Sequence, residues 1–344
     1  MKKFLILIML FLTVCAWSKG IVLDSELDLG FAYDSNINLL SDSDRDEFLD
    51  NILPEKYLIK SIDDLIMDMS YTLKCKNYWL GGHTQIEEFK LYFNKYQENS
   101  VKDYGYMSFA IRQYFSRNLD FSLKYYYYPQ IYLRQYESVI DHNYHKFEYS
   151  KNYYSANLNW DIARSWFARY NLEYSQLFYN KWFTEYDADI FTSNIFLTWQ
   201  PSGKAQIELR YGYRLSNADA EDAFADPDAV DVIKDASYEA NIYSCQFKIK
   251  KLLKNTTFNI GYKLETRYFN SDNDLDTYHL DRNDYIHSIT TSIYKPLKKN
   301  LSIIVSGEYG FRNTESPKDY VVEDKEYNSW KTSLNLSYAI NLKK

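Results

Sequence analysis

The amino-acid sequence predicts an all-β protein: a transmembrane antiparallel up-and-down β-barrel of about 14 strands, with an error range of about 12–16. Three observations predict it. Segments of about ten residues alternate between apolar and polar side chains. Short and long polar connections alternate along the chain. The composition is also rich in aromatic residues, with 36 Tyr, 20 Phe and 7 Trp, and barrels use such residues in the girdles of their lipid-facing wall.

The N-terminus has the regions of a secretory signal peptide. Lys2 and Lys3 precede an apolar run at 4–14 that is too short to span a bilayer as a helix. Ala16 and Ser18 place small residues at the minus-three and minus-one positions of a cleavage site, so we expect cleavage after Ser18. The predicted organisation is therefore a signal peptide at 1–18 and a single outer-membrane barrel domain at 19–344.

Period-two alternation defines the strands, because successive side chains of a strand point to opposite faces. Apolar residues that mark the lipid-facing parity include Leu27, Met69, Phe109, Leu209, Tyr262, Val305 and Leu336. In the third strand, "HTQIEEFKLYF", the apolar parity changes near Glu87 and Glu88, which predicts a β-bulge.

The connections set the strand count. Six short connections, the first of them expected at 76–79, alternate with seven longer polar ones, the first at 34–61. This alternation predicts short periplasmic turns and long outer loops, with both termini on the short-turn side. A secreted β-sandwich is the alternative fold, but it does not explain the regular alternation.

The stretch "FSLKYYYYPQIYLRQY" illustrates the pattern. As a strand it would direct Tyr125 and Tyr127 to lipid and Tyr126 and Tyr128 to the lumen. Pro129 is then expected near the outer end, where the ladder tolerates a missing donor.

The stretch "LGFAYDSNIN", 29–38, carries a resemblance to known proteins. Its Gly-x-x-Tyr-Asp-x-Asn motif, which ends the first strand, resembles the opening of porin-like barrels found with exopolysaccharide operons. It is also similar to the barrel of surface lipoprotein assembly modifiers. The resemblance implies a bacterial outer-membrane β-barrel, with a porin-like or an assembly-related role.

Charged side chains on the lumen-facing parity are the candidate functional residues. The first two strands are acidic on this parity, whereas later strands are mainly basic. Opposed walls of this kind would set a transverse field across a wet pore; the alternative is polar filling of a closed interior by cross-strand pairs. The predicted pore-lining residues are Asp24, Glu26, Asp28, Asp64, Asp68, Arg112, Lys124, Arg134, Glu208, Arg210, Arg214, Lys248, Lys263, Glu265 and Arg267.

The predicted function is a porin-like channel in the cell outer membrane for small polar solutes or saccharides. The alternative is a closed barrel with a binding, assembly or polysaccharide-export accessory role. The expected partners are outer-membrane lipid, lipopolysaccharide, the barrel-assembly machinery and the solute. A net charge of −7 argues against nucleic acid as a partner, and no cofactor is expected.

An outer-membrane hydrolase is the disfavoured enzymatic alternative, and we predict no catalytic residues. His142, His145 and His279 lie in outer loops beside Asp141 and Asp281, which would allow an Asp-His dyad.

Metal sites and disulfides are not expected either. The acidic runs "SDSDRDE" and "SDNDLD" lack the glycine and glutamate of a calcium-binding loop, so we interpret them, together with 219–235, as solvated loops that could bridge lipopolysaccharide through divalent ions. Cys75 and Cys245 are expected as free thiols on the lipid-facing wall.

Overall fold

The computed structural model describes residues 22–79, 82–138, 140–221, 234–253 and 255–341. Its strands close into one barrel, in which β1 pairs with β14 and all neighbours are antiparallel. They are β1 (Val22–Asp34), β2 (Asp64–Trp79), β3 (His83–Tyr96), β4 (Tyr104–Tyr114), β5 (Leu119–Glu137), β6 (Tyr144–Ala163), β7 (Trp166–Tyr179), β8 (Ala188–Trp199), β9 (Ala205–Ala218), β10 (Tyr238–Ile249), β11 (Thr257–Phe269), β12 (Asn283–Lys298), β13 (Leu301–Glu315) and β14 (Tyr327–Asn341). The predicted fold class and the strand count are confirmed.

Short and long connections alternate around the barrel as predicted. The first short connection is displaced, however: residues 76–79 belong to β2, and the chain turns after Trp79. The long connections at the opposite end contain two helices, α1 (Asp42–Leu49) and α2 (Asp319–Lys325). Within the described ranges, no helix combines the length and the apolar character needed to cross a membrane. The predicted signal peptide lies outside the described residues.

The outer wall of the barrel is apolar. Side chains such as Phe31, Leu123, Tyr170 and Ile195 are exposed there, and Trp166 stacks on Trp199 near the short-turn end. A closed ladder also pairs the strand backbone groups without leaving an edge, which is the condition for crossing a bilayer with strands. Apolar exposure outside and polar groups inside are the two faces of a transmembrane barrel of the kind found in bacterial outer membranes.

The bulge predicted in β3 is wrong. Its ladder to β2 and its ladder to β4 run without a register shift. Glu88 therefore faces the lumen beside Lys74, and Glu87 lies on the outer face opposite Cys75. The Glu87 carboxylate is buried and accepts hydrogen bonds of 2.8 and 3.0 Å from Nδ2 of Asn77. This neighbouring amide partly satisfies the carboxylate without a change of parity.

Pro129 does not mark the outer end of β5, because the strand continues to Glu137. The register with β6 shifts between Tyr128 and Ile131, so Pro129 lies within an irregularity of the ladder. A bulge removes the need for a donor at that position, which lets one long hairpin include a proline.

The motif at the end of β1 fixes the first outer loop, 35–63, to the barrel. Asp34 Oδ1 accepts a 3.0 Å hydrogen bond from the backbone N–H of Asn36. The buried Asn36 side chain donates to the carbonyl oxygens of Leu40 and Asn328, and its Oδ1 accepts from the Leu40 N–H at 2.8 Å. The motif therefore ties the loop to itself and to β14.

The first outer loop is folded, and the interpretation of "SDSDRDE" as a solvated acidic loop is wrong. Most of the run forms α1, whose first turn is capped by the Ser41 side chain. Residues four apart share a helix face, so Asp42 and Asp46 lie together on the exposed side, and the buried Asp44 does not converge with them. Asp44 is buried, whereas Asp42 is exposed. Part of the run at 219–235 lies outside the described residues.

Candidate functional site in the barrel lumen

The acidic side chains predicted for the first strands lie on the lumen face of β1 and β2, and local polar groups partly neutralise them. Glu26 accepts a 2.7 Å hydrogen bond from Ser337 and pairs with Lys74 Nζ at 3.2 Å. Asp28 accepts a 2.7 Å bond from Ser70. Asp24 is opposite Lys74 in the β1–β2 ladder. This wall therefore contains cations as well as acids.

Asp68 completes the acidic wall at a close backbone approach. Gly30 lies between Asp68 and Asn335, and a Cβ atom at position 30 would come within 2.2 Å of oxygens of both side chains. The glycine thus makes room for two polar side chains at one level of the lumen. The positive charges of Lys331 on β14 and Lys90 on β3 act on Asp68.

The basic wall is centred on Glu265, which is only 2% exposed. Its carboxylate lies 2.7 Å from Arg214 Nη1, 2.7 Å from Arg267 Nε and 3.2 Å from Lys263 Nζ. Three cations therefore share one carboxylate, and the group retains positive charge. This arrangement holds the basic side chains in place while leaving net positive charge at this side of the lumen.

Arg210 differs from Arg214 in its partners. Its guanidinium donates to Asn194 Oδ1 at 2.8 and 3.0 Å and has no ion-pair partner among the described residues. Glu208, two positions earlier, accepts from Thr198 at 3.1 Å and lies 3.6 Å from Arg169. Glu208 and Arg210, neighbours on β9, are therefore not paired with each other, whereas Glu265 and Arg267 on β11 are, at 2.7 Å.

A polar cavity of about 550 Å³ lies against the lumen face of β9–β14. Lys248 and Glu208 line it from one side, and Glu308 and Lys331 from the other. The remaining lining is mostly small residues and amide side chains. The small residues include Thr290, Ser292, Ser306, Ser333, Gly261 and Gly307. Charged ends over a floor of hydroxyl groups are suited to hydrated polar solutes.

Arg112 and Lys124 lie on the lumen face of β4 and β5 in different settings. Arg112 forms a bidentate ion pair with Asp120, with distances of 2.8 and 2.7 Å. Lys124 has no ion-pair partner in the part of the chain that the structure describes. It lines a recess of about 220 Å³ together with Tyr126, Tyr153 and other side chains.

Two of the predicted pore-lining residues lie at the outer mouth and hold loops. Asp64 is buried and accepts hydrogen bonds from the backbone N–H groups of Gln97, Glu98 and Asn99, at 2.9–3.2 Å. Arg134 donates to the Asn38 carbonyl oxygen at 3.0 Å. Both side chains therefore connect the first two outer loops to the barrel wall.

The outer mouth is crossed by packed polar contacts. Asp44 receives Lys56 Nζ at 2.7 Å and lies 3.5 Å from Arg134. Burial opposes the charge of Lys56, but hydrogen bonds to Asp44 and Glu47 outweigh it and raise the pKa of Lys56 above its ordinary value. Lys56 therefore stays charged and holds the first outer loop through Asp44 and Glu47.

Helix α2 adds a second bridge across the mouth. Lys325 Nζ lies 4.8 Å from the ring centre of Tyr278, in the loop after β11, and 5.9 Å from that of Tyr136, at the end of β5. Helix α1 also contacts α2. The loops thus narrow the outer side of the lumen.

Tyrosines form a feature of the lumen that charge patterns did not reveal. Tyr126 and Tyr128 were predicted to face the lumen, and they do so in a cluster with tyrosines of β3, β4 and β6. We define the tyrosine wall as Tyr92, Tyr104, Tyr106, Tyr126, Tyr128 and Tyr153. The same parity rule, applied to tyrosine instead of charge, would have found it.

The histidines predicted in outer loops are paired with carboxylates, but without a nucleophile in line. His145 belongs to β6 rather than to a loop, and its Nε2 lies 2.9 Å from Asp141. His279 pairs with Asp276 at 2.9 Å rather than with the predicted Asp281. Ser271 donates to the carboxylate of Asp276 and not to the imidazole, so this group lacks the hydroxyl-to-imidazole contact of a nucleophilic triad. In the described residues, no three His, Cys, Asp or Glu side chains converge as metal ligands.

Comparisons with known proteins found no matching family model and no matching curated protein. Solved structures do match along nearly the whole chain. An anion-selective porin from Comamonas acidovorans is 8% identical with a TM-score of 0.49, covering 93% of this chain and 99% of its own. The outer-membrane channel DcaP of Acinetobacter baumannii is 11% identical with a TM-score of 0.49, covering 93% and 97%. OprD from Pseudomonas aeruginosa is 10% identical with a TM-score of 0.44, covering 95% and 96%.

The architecture of this chain rests on its own hydrogen-bond ladder, which closes between β1 and β14. It is a porin-like barrel in architecture. Its exposed wall is apolar and its lumen is charged.

Proposed function

We propose that the protein is a porin-like channel of the bacterial outer membrane that passes small polar solutes or saccharides. The observation that carries this proposal is the polar cavity of about 550 Å³ on the lumen face, with Lys248, Glu208, Glu308 and Lys331 around it. If the barrel were closed and its interior only had to be filled, the charged side chains around this cavity would be buried in pairs. Open space lined by charged groups instead supports the passage of hydrated solutes.

Unpaired cations support a preference for anions. Arg210, Lys124 and Lys151 have no ion-pair partner in the described part of the chain, and the cations around Glu265 outnumber it. In a narrow low-dielectric passage such charges raise the local concentration of anions.

A second function is supported by the packing of the outer mouth. The first outer loop and α2 bridge opposite parts of the rim through Arg134, Asp44 and Lys325. A barrel closed in this way would act as a binding or polysaccharide-export accessory protein rather than as a free diffusion pore. The two functions differ in their resting conductance.

Single-channel recording of the refolded protein in a planar bilayer tests the proposal. We expect discrete conductance steps with a preference for anions. A correctly folded barrel, shown by its heat-dependent mobility in gels, that never conducts would overturn the channel function and favour the accessory role.

A further inference from the structure

The tyrosine wall covers one side of the lumen. Tyr92 stacks on Tyr106 with ring centres 4.8 Å apart, and Tyr106 lies 5.0 Å from Tyr128. Tyr126 contacts Tyr106 at 5.7 Å and Tyr153 edge-on at 5.4 Å. All of these rings remain partly exposed. The rings form a continuous aromatic surface along β3–β6.

Lysines alternate with these tyrosines along the strands. The pattern Lys-x-Tyr places Lys90 before Tyr92 on β3, Lys124 before Tyr126 on β5 and Lys151 before Tyr153 on β6. Residues two apart in a strand share a face, so each lysine lies beside its tyrosine in the lumen. None of the three amines has an ion-pair partner in the described residues. The Lys151 amine lies 5.2 Å from the ring centre of Tyr153.

Carboxylates near this surface form no ion pair with its three lysines in the described residues. Glu88 lies 3.8 Å from Lys74, and the positive charges of both Lys331 and Lys90 act on Asp68. Glu173 shares the recess of about 220 Å³ with Lys124 and Arg169. The surface thus combines apolar ring faces with amines that lack a partner.

The opposite side of the lumen has a different chemistry. Strands β11 and β12 lie seven positions from β4 and β5 in the closed order, and so across the barrel. Their lumen-facing residues include Gly261, Thr290 and Ser292, and β11 also carries the charged group around Glu265. A ligand that satisfies both sides needs an apolar face for the rings and a rim of hydroxyl groups for the polar wall.

Pyranose rings have this shape. Their axial C–H groups carry partial positive charge and pack on the negative face of an aromatic ring, while their hydroxyl groups bind small polar side chains. Carboxylates on such rings would pair with the free lysines. The recess at Lys124, Tyr126 and Tyr153 is smaller than the about 300–1,000 Å³ of pockets for drug-sized ligands, which suits one ring of a chain.

We infer that the tyrosine wall binds anionic saccharides, with pyranose rings stacked on Tyr106, Tyr126 and Tyr153 and carboxylates on Lys124 and Lys151. This inference rests on the proposed channel function and names the substrate class of the same lumen.

Current block in planar bilayers tests the inference with two matched probes: a short neutral glucan oligomer, and the same oligomer with its C6 hydroxymethyl groups oxidised to carboxylates. We expect both to interrupt the current and the oxidised form to bind at least about tenfold more tightly. Tyr106→Ala and Tyr126→Ala should each weaken both probes, by up to about tenfold. Lys124→Gln with Lys151→Gln should weaken only the oxidised probe.

Tyr125→Ala is the matched control, because Tyr125 is adjacent to Tyr126 but faces away from the lumen. It should leave block by both probes unchanged. Equal block by the two probes, or equal loss in Tyr125→Ala and Tyr126→Ala, would overturn the inference while the channel function stands. If the wild-type barrel does not conduct, the channel function fails. Tyrosine fluorescence titration of the folded protein in micelles then decides the saccharide site: tighter binding of the oxidised probe supports it, and equal or no binding refutes it.

Discussion

Asp44 Oδ2 of the first outer loop lies 3.5 Å from Arg134 Nη1 of β5, so that an ion pair joins the loop between β1 and β2 to a strand three positions further around the barrel. Asp44 also binds Lys56 at 2.7 Å and is only 3% exposed. A carboxylate in this position holds the loop over the outer mouth. Its loss would leave Arg134 without an ion-pair partner and Lys56 with Glu47 alone.

The first prediction concerns this contact. Asp44→Asn should weaken docking of the loop by about 1–3 kcal/mol, because both Lys56 and Arg134 lose a charged acceptor. We expect larger or more frequent conductance fluctuations and faster tryptic cleavage within 35–63. Asp272→Asn removes the same charge from an exposed site in another outer loop and should change neither. Equal behaviour of the two variants would show that the loop is not held by Asp44.

The second prediction concerns ion selectivity. Arg210 donates to the amide oxygen of Asn194 and lies over the ring of Phe196, but it forms no ion pair within the described residues, so its charge is available to solutes. Arg210→Glu should shift the permeability ratio toward cations by roughly threefold at moderate ionic strength. Adding Arg214→Glu should extend the shift, although this change also places a second carboxylate beside Glu265 and so needs a check of folding.

Reversal potentials across a salt gradient measure the ratio. Lys204→Glu makes the same charge change in an exposed short connection, and it should leave selectivity nearly unchanged. A shift for Lys204→Glu as large as that for Arg210→Glu would locate the selectivity outside the lumen.

The sequence alone was sufficient for the strand count, because alternation and connection length repeat with every hairpin. It failed where a single contact decided the geometry. In β3 the apolar parity favoured a bulge, but the ladder stays in register and Asn77 binds the outward carboxylate of Glu87. In β5 Pro129 suggested a strand end, but an irregular ladder accommodates it.

In the lumen, too, repeated patterns were predictable and single long-range contacts were not. Parity placed most of the charged residues, since it depends only on neighbours in one strand. It could not assign Arg134 to a loop contact with Asp44, which lies 90 positions earlier in the chain and is brought near only by folding of the loop. The tyrosine wall was within reach of the parity rule, because the Lys-x-Tyr pattern recurs on β3, β5 and β6.

The third prediction concerns the pH dependence of the outer mouth. Lys102 lies in the second outer loop, between β3 and β4. Its Nζ donates to the Leu133 carbonyl oxygen at 3.2 Å. Burial, together with the nearby Arg134, lowers the pKa of Lys102 from 10.5 to about 8. Between these two pH values the undocked loop binds more protons than the docked one, so docking strengthens as pH rises from about 8 to 10.5 and is weakest below that window.

Hydrogen exchange of the amides near Lys102, measured across this pH range and corrected for intrinsic rates, tests the sign. Lys102→Met should abolish the pH dependence and increase protection at neutral pH. Lys95→Met removes a more exposed amine nearby and should leave the dependence intact. Protection that falls with rising pH in the wild type would contradict the assigned pKa direction.

The last prediction uses the cysteines to test strand parity. Among the described residues, neither cysteine forms a disulfide. Cys245 is exposed on the outer wall between Leu209 and Tyr262, whereas Cys75 is buried on the same wall between Leu23 and Glu87. A charged maleimide should label neither thiol in intact membranes, because a charged reagent does not enter the hydrocarbon that covers this wall. A lipid-soluble maleimide should label Cys245 and reach Cys75 far more slowly; denaturation should expose both.

Ser244→Cys, in a chain that also carries Cys75→Ser and Cys245→Ser, is the matched control. Ser244 precedes Cys245 but pairs with Arg210 and Lys263 on the lumen face. Its thiol should react with the charged maleimide through the water-filled lumen, and a saccharide that occupies the tyrosine wall should slow that reaction. If the charged reagent labelled Cys245 and spared position 244, the faces of β10 would be inverted. Every assignment of a lumen side chain on that strand, beginning with Lys248, would then be wrong.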